Sequence, residues 1–329
     1  MFDTFLAQLK DADHIAIIQA ENPDGDSLGS ALALEELLGQ QHKTVSLYCP
    51  VDIPKYLRYI NGWDRVTDSF DYTAEMYIIV DTASMTLLEK ALSPENSAQL
   101  EKKSTFVFDH HTTDSDLSFS HTLISQPAVA TAELIYDLAR AAGWDISPLA
   151  AEQLLVAILS DSLGLMSEAV TPRTLEITTE LVKAGAKISD IEQRRREFMK
   201  KSAEILTYKG TLLQRVQYEL DGQLALVHVP WQEIEQYSDA YNPGALVIDE
   251  MRLVENVKLA VVIKTYPDGR LTGKLRANPE AKIAETVARY FGGGGHPYAA
   301  GFRVYEDYQN VYDELVKATE KALNDYAAI

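Results

Sequence analysis

A single cysteine, Cys49, stands in the 329 residues, so an internal disulfide and a thiolate zinc site are both excluded, and a reducing compartment is implied. Long apolar runs are missing too, since none approaches the roughly 20 residues needed to cross a bilayer. The opening MFDTFLAQLKDADH has no basic stretch followed by an apolar one. No secretory signal is therefore expected, and the expected location is the cytoplasm. Positive charge is scarce. Thirty Lys and Arg face 49 Asp and Glu, for a formal net charge of −19. Proteins that coat long nucleic acids take much of their affinity from a basic face, so no long nucleic-acid partner and no membrane are expected. If such a chain handles phosphates, metal ions or a few placed cations must offset the repulsion. What remains is an ordinary globular composition, 46% hydrophobic and 24% charged, without repeats or low-complexity tracts. The length favours two domains.

The first half alternates short β-branched runs with helical periods, the pattern of a doubly wound, mainly parallel α/β sheet. Strands are predicted at His14–Ala20, Thr44–Cys49, Met76–Val80 and Thr105–Phe108. Helices are predicted at Ser27–Gln41, Ala128–Ala142, Leu149–Leu163 and Pro172–Ala184. A charged stretch, Ser189–Thr211, reads as a linker helix. Beyond it, Asp221-Gly222 and Pro267-Asp268-Gly269 mark turns between apolar runs at Leu212–Tyr218, Gln223–Val229, Lys258–Tyr266 and Gly269–Arg276. Helices follow near Trp231–Tyr237, Gly244–Leu253, Ala281–Phe291 and Asp307–Ala327. The expected organisation is an α/β domain over 1–187, a linker helix over 188–211, and a smaller α+β domain over 212–329.

Ligands of open α/β sheets gather at the carboxyl ends of the strands, and three of the four predicted strands end in acids. The first runs into Asp24-Gly25-Asp26, the third ends at Asp81, and the fourth at Asp109-His110-His111. One such acid would be an ordinary cap or turn residue. Three strand ends with paired histidines at one suggest a metal site. Imidazole with carboxylate oxygens suits manganese or another first-row metal better than calcium. Asp161 closes the apolar helix LLVAILSD, where a charge should not be buried alone. Gly292–Gly295 offers four unobstructed amides that can cradle an anion. The basic run Arg194-Arg195-Arg196 sits among Glu192 and Glu197, which marks a solvated ion-paired face.

The strings NPDGDSLGS, IIVDTAS, FDHH and AILSDSLGL resemble, in order and spacing, the motifs of the DHH phosphoesterases. GGGGHPYAAGF at Gly292–Phe302 resembles the signature of the DHH-associated domain, and the two-domain layout is most similar to the nano-RNase/pAp-phosphatase group. The resemblance implies a manganese-dependent phosphodiesterase and phosphatase working in the cleft between its two domains. Its substrates would be very short RNA, a nucleotide, or 3′-phosphoadenosine 5′-phosphate, and a homodimer is an admissible assembly. Asp24 and Asp81 match ligands of a first metal; Asp26, Asp81, His110 and Asp161 match those of a second. His111 matches a phosphate-contacting catalytic histidine, with Asp109 orienting a histidine. Arg276, Gly293, Gly294, Gly295 and His296 match substrate-binding positions.

One position departs from the family pattern. A histidine usually stands three residues before the proline of NPDGD, and here it is Ala20. The first metal therefore binds weakly and arrives with substrate, or the centre is altered, or the chain is a catalytically silent nucleotide-binding protein. Gln19 or Glu21 could compensate, although strand alternation points them elsewhere. Dinucleotide phosphodiesterases on the same scaffold are the nearest enzyme alternative.

Overall fold

The computed structural model describes residues 1–111, 115–238 and 241–328. The chain forms two compact units, Met1–Lys200 and Lys201–Ile329. In the first, α1 (Asp3–Leu9) leads into β1 (His14–Ile18), α2 (Gly25–Gln40), β2 (Thr44–Tyr48), β3 (Val66–Thr67) and β4 (Met76–Val80). Then come α3 (Pro94–Lys102), β5 (Ser104–Asp109), β6 (Thr122–Ser125), α4 (Thr131–Ala142), α5 (Pro148–Asp161), α6 (Pro172–Lys183) and α7 (Ile188–Phe198).

The strand order is β3-β2-β1-β4-β5-β6 and every pairing is parallel. This is the expected doubly wound α/β sheet. Its central strands are buried on both faces, which is why HIAII and MYIIV carry apolar residues at successive positions rather than alternating ones. One face packs under α2, α4 and α5, the other under α3 and its neighbouring loops. Connections run in opposite directions from β1 and β4, so the strand order reverses between them, and the carboxyl ends at such a point are where open α/β sheets bind ligands. The short strands β3 and β6 extend the sheet at its two edges; the sequence reading missed both.

The second unit contains α8 (Ala203–Gln214), β7 (Gln217–Glu219), β8 (Leu224–Val229), α9 (Trp231–Tyr237), α10 (Pro243–Arg252), β9 (Leu259–Thr265) and β10 (Leu271–Ala277). It ends with α11 (Ala284–Tyr290), β11 (Gly294–His296), β12 (Ala299–Val304) and α12 (Tyr308–Ala327). Its sheet order is β11-β12-β10-β9-β8-β7, with β8 and β9 parallel and the other pairs antiparallel. The mixed α+β character expected of this half is present.

The charged stretch read as one linker helix is two helices, α7 and α8. Ser202 starts the second afresh, its Oγ accepting the Ile205 N–H at 3.2 Å. The strand expected at Leu212–Tyr218 also shrinks. Leu212 belongs to α8 and is fully buried, leaving only Gln217–Glu219 as strand.

Candidate metal centre

Asp24 is the N-cap of α2, not a loop residue before it. Its Oδ1 accepts the Ser27 N–H at 2.9 Å, and Ser27 Oγ accepts the Asp24 N–H at 3.0 Å. Asp26 therefore lies in the first turn of α2, fully buried. A buried carboxylate needs donors. Asp26 has the N-terminus of α4: Thr131 N–H at 2.6 Å and Ala132 N–H at 3.3 Å, with the Ser30 hydroxyl at 2.9 Å. Thr131 also donates its hydroxyl to Asp81 Oδ1 at 3.0 Å, so one residue clamps two carboxylates.

Asp81 leaves β4 with φ +65°, a left-handed backbone that aspartate tolerates better than most residues, and its N–H donates to Phe108 O at 2.8 Å. Strain of this kind concentrates at functional sites. His110 follows β5. Its Nδ1 lies 3.0 Å from Ala128 O, and a carbonyl can only accept, so Nδ1 carries the proton and Nε2 presents a lone pair. That Nε2 is buried and has no hydrogen-bond partner among the described residues. It faces Asp161 at 3.5 Å, Asp81 at 3.6 Å and Asp26 at 3.8 Å, distances too long for hydrogen bonds.

Like charges this close resist ionisation. Burial, then the neighbouring charges of Asp26, Asp24 and Asp161, pushes the Asp81 carboxyl well above its ordinary value. Burial also raises Asp26, although the His110 ring opposes it. Asp161, the last residue of α5, is pushed up to about 8 by burial and by Asp26 and Asp24. Three strained carboxyls around an unpartnered imidazole nitrogen fit a divalent cation, whose charge would relieve them. One oxygen or nitrogen from each of Asp26, His110 and Asp161 lies within 4.8 Å of the others, and so do donors of Asp81, His110 and His111. Asp24 joins neither trio, although its charge reaches Asp26, Asp81 and Asp161.

His111 is half exposed. Its Nδ1 sits 2.6 Å from Asp109 Oδ1, which also accepts the His111 backbone N–H at 3.1 Å. This hydrogen bond raises the His111 pKa and leaves Nε2 directed away from Asp109. Ala20 is buried, and its carbonyl accepts the Cys49 thiol at 3.5 Å. Glu21 accepts the Lys90 N–H at 3.0 Å, while the buried Gln19 amide has no partner among the described residues.

In the second unit, the glycine run is not a free cradle. Gly294 and Gly295 pair with Gly301 and Ala300 across the β11–β12 ladder. A Cβ at Gly293 would lie 2.2 Å from Gly301 O, and one at Gly295, where φ is +141°, 2.5 Å from Ala299 O. The glycines thus serve close backbone approach, and exposed His296 ends the strand. Arg276 is half-buried on β10, with Nη1 donating to Leu275 O at 3.0 Å. Arg194, Arg195 and Arg196 pair with Glu152 and Glu192, as a solvated ionic face should.

Sequence reasoning missed Thr131, Ala128 and Ser30, which hold the acids and the histidine in place. The predicted helix began at Ala128. Moving its start to the TAEL segment would have put free helix N–H groups beside the acids.

Family models match both units of the chain. Residues 14–158 match the DHH family, N-terminal domain, and residues 234–325 match the DHHA1 domain. The chain thus carries a DHH-family N-terminal domain followed by a DHHA1 domain. A probable bifunctional oligoribonuclease and PAP phosphatase NrnA of Streptococcus mutans is 24% identical over 95% of this chain and 97% of that protein. The NrnA of Thermus thermophilus is 25% identical over 92% of this chain and 88% of its own, and that of Bacillus subtilis 23% over 89% and 90%. Among solved structures, an exopolyphosphatase-related protein from Bacteroides fragilis has the same fold, with TM-score 0.84 and 24% identity over 99% of this chain and 96% of that one. No helix among the described residues is long and apolar enough to cross a membrane.

Proposed function

We propose that the chain is a manganese-dependent phosphoester hydrolase acting on very short RNA and on nucleotides such as 3′-phosphoadenosine 5′-phosphate. The observation that carries this reading is the unpartnered His110 Nε2 facing Asp26, Asp81 and Asp161. The names of the relatives, oligoribonuclease and PAP phosphatase, supply the substrate class. A bound divalent cation supplies positive charge against the phosphoryl group and acidity to water. Asp26, Asp81, His110 and Asp161 would hold one ion; Asp24 and Asp81, with Ala20 in place of a ligand, would hold another weakly.

The chain's own groups do the rest. Thr131 and the α4 amides hold the carboxylates of Asp26 and Asp81 in place. His111, whose hold on its proton Asp109 strengthens, would offer Nε2–H to a phosphate oxygen or to the departing ester oxygen. Water adds its oxygen to phosphorus as the ester P–O bond breaks, and the leaving oxygen takes the proton. In the second unit, Arg276 and His296, with backbone groups of Gly293, Gly294 and Gly295 that the β11–β12 pairing leaves over, would contact substrate. An acidic surface suits a short ligand, which needs only a local pocket.

The test is hydrolysis of a fluorescent dinucleotide with added manganese, against a chelator control. Manganese-dependent release of mononucleotide supports the reading. Tight dinucleotide binding without turnover would favour a silent nucleotide-binding protein, the alternative prompted by Ala20.

A further inference from the structure

Helix α5 does not simply stop at Asp161. Leu163, Gly164 and Leu165 all take left-handed backbone, with φ of +53°, +73° and +69°. One such residue is enough to end a helix, and glycine normally supplies it. Here Leu163 does so, with the Gly164 N–H closing onto Leu159 O at 2.8 Å. Two further left-handed residues follow, one of them a leucine, and a side chain makes that conformation costly. Among the described residues the other run of three, Leu220–Gly222, closes the β7–β8 hairpin.

The turn is firmly held. Ser162 is fully buried, and its Oγ accepts the Leu165 N–H at 2.8 Å. Its carbonyl accepts the Met166 and Ser167 N–H groups at 2.8 and 2.9 Å. Leu165 packs against the core, while Leu163 and Met166 stand 68% and 83% exposed. Strained backbone persists where its surroundings over-determine it, and it clusters at ligand clamps. What this strain accomplishes is the outward display of two apolar side chains just past Asp161.

A third exposed apolar group comes from another loop. Tyr56, in the short 3-10 turn Lys55–Leu57, is 55% exposed, and its hydroxyl pKa is raised by burial and then by the charge of Asp24. Asp24 caps α2, whose Gly25 lies against Ser160 at the end of α5. The aromatic ring and the two aliphatic chains therefore border the same junction of acids. A lone exposed leucine needs no explanation. Three large apolar groups beside an acidic centre do, since they neither relieve its charge nor hide from water. A phosphate held at that centre carries its nucleobase one sugar away, and a base is a neutral planar ring that acids do not repel.

We infer that Leu163 and Met166, with Tyr56, form a resting surface for one of the nucleobases flanking the phosphate under attack. This rests on the phosphoester hydrolase reading, which supplies the nucleotide, while the surface itself stands on residues of the first unit alone. Every base offers such a face, so the surface selects nucleotides over other phosphate esters without choosing among bases.

Two measurements on the full chain test it, in wild type, Leu163→Asn/Met166→Ser, Tyr56→Ser and Tyr56→Phe, each checked for an unchanged melting curve. Asparagine accepts left-handed backbone, so the turn stays formed. The first measurement is kcat/KM with manganese for ApA and for its two counterparts that each lack one base. Wild type should prefer ApA by about tenfold over the counterpart without the resting base. Leu163→Asn/Met166→Ser and Tyr56→Ser should lose most of that preference by slowing on ApA alone, and Tyr56→Phe should keep it. The second is the fluorescence of a non-hydrolysable dinucleotide carrying 2-aminopurine at both positions, with magnesium as the cation. Wild type should quench it on binding, and Leu163→Asn/Met166→Ser and Tyr56→Ser should not. Equal losses on all three substrates would assign the turn to the geometry of the acids, and unchanged kcat/KM would leave the surface without a part in binding; either overturns the inference and leaves the hydrolase reading intact. A wild-type dimer that dissociates in Leu163→Asn/Met166→Ser while the preference for ApA survives would assign the surface to a second copy of the chain, and overturns it too. Absence of turnover on every dinucleotide sinks the hydrolase reading, and the fluorescence then decides the base site alone: a quench lost in the variants sustains it, and a quench absent or unchanged overturns it.

Discussion

Gly25 of α2 lies directly against Ser160 of α5, so closely that a Cβ at Gly25 would sit 2.4 Å from Ser160 Oγ and 2.6 Å from its Cβ. Ser160 precedes Asp161, and Gly25 lies between Asp24 and Asp26. The contact between these two small residues therefore sets how near the acids at the start of α2 come to the acid at the end of α5. Gly29, one turn on, continues the close approach, with its would-be Cβ 2.8 Å from Gln153 O.

Gly25→Ala should push the end of α5 away. Overpacking of this kind costs about 1–3 kcal/mol of stability, and the displaced Asp161 should weaken manganese binding beyond what the stability loss explains. Urea unfolding and metal titration measure the two effects. Adding Ser160→Gly to Gly25→Ala opens the needed space and should restore most of both. Failure of the double variant to recover metal affinity would show that the spacing is set elsewhere.

The metal-free protein should lose stability as pH rises. Asp161 ionises near its ordinary value of 3.8 when unfolded but only at about 8 when folded. Between those values the unfolded state binds fewer protons, so unfolding becomes easier with each step up in pH. Asp26 and Asp81 act in the same direction. In chelator, the melting temperature should fall between pH 5 and pH 8, and Asp161→Asn should flatten that slope. Manganese should raise the melting temperature more at pH 8 than at pH 5, because the ion replaces the protons the carboxyls would otherwise need. A melting temperature in chelator that is flat or rising over this range would mean that the acids are not held in conflict.

The parallel sheet and the acids at its strand ends were legible because buried β-branched runs and terminal carboxylates are written locally. His110 was legible as a residue type. Its partner Ala128 was not, because a carbonyl leaves no trace in the sequence. Gly25 invited a turn reading, yet its purpose is a contact with a helix 135 residues on, which spacing along the chain cannot reveal. The strand formed by the glycines before His296 was hidden in the same way. Four in a row suggest an anion-binding loop, whereas the close approach to β12 puts Gly294 and Gly295 in a strand.

Ala20→His should lower the manganese concentration needed for half-maximal rate. The ion proposed at Asp24 and Asp81 has Ala20 where the family pattern has a histidine, Glu21 is engaged by the Lys90 amide, and an ion with few protein ligands binds weakly. The apparent manganese requirement of the wild type should also fall as substrate rises, since phosphate oxygens complete the site. Calorimetric titration with and without a non-hydrolysable dinucleotide measures both. Two tight manganese ions in the unliganded wild type would show that another residue already serves, with the unpartnered Gln19 amide the first to examine.

The central claim is that Asp81 and its neighbours around His110 hold the ion on which hydrolysis depends. Asp81→Asn tests it best, because asparagine also tolerates the left-handed φ of +65° and keeps a carbonyl oxygen for the Thr131 hydroxyl. Dinucleotide hydrolysis should be measured against manganese concentration in wild type and Asp81→Asn, with the metal-free melting temperature recorded at pH 8. The expected result is a rate at least about a hundredfold lower in the variant at any manganese concentration, as for loss of a principal electrostatic contributor, with a melting temperature equal to or above wild type. Wild-type turnover in Asp81→Asn, or turnover in the wild type that persists in chelator, would contradict the account.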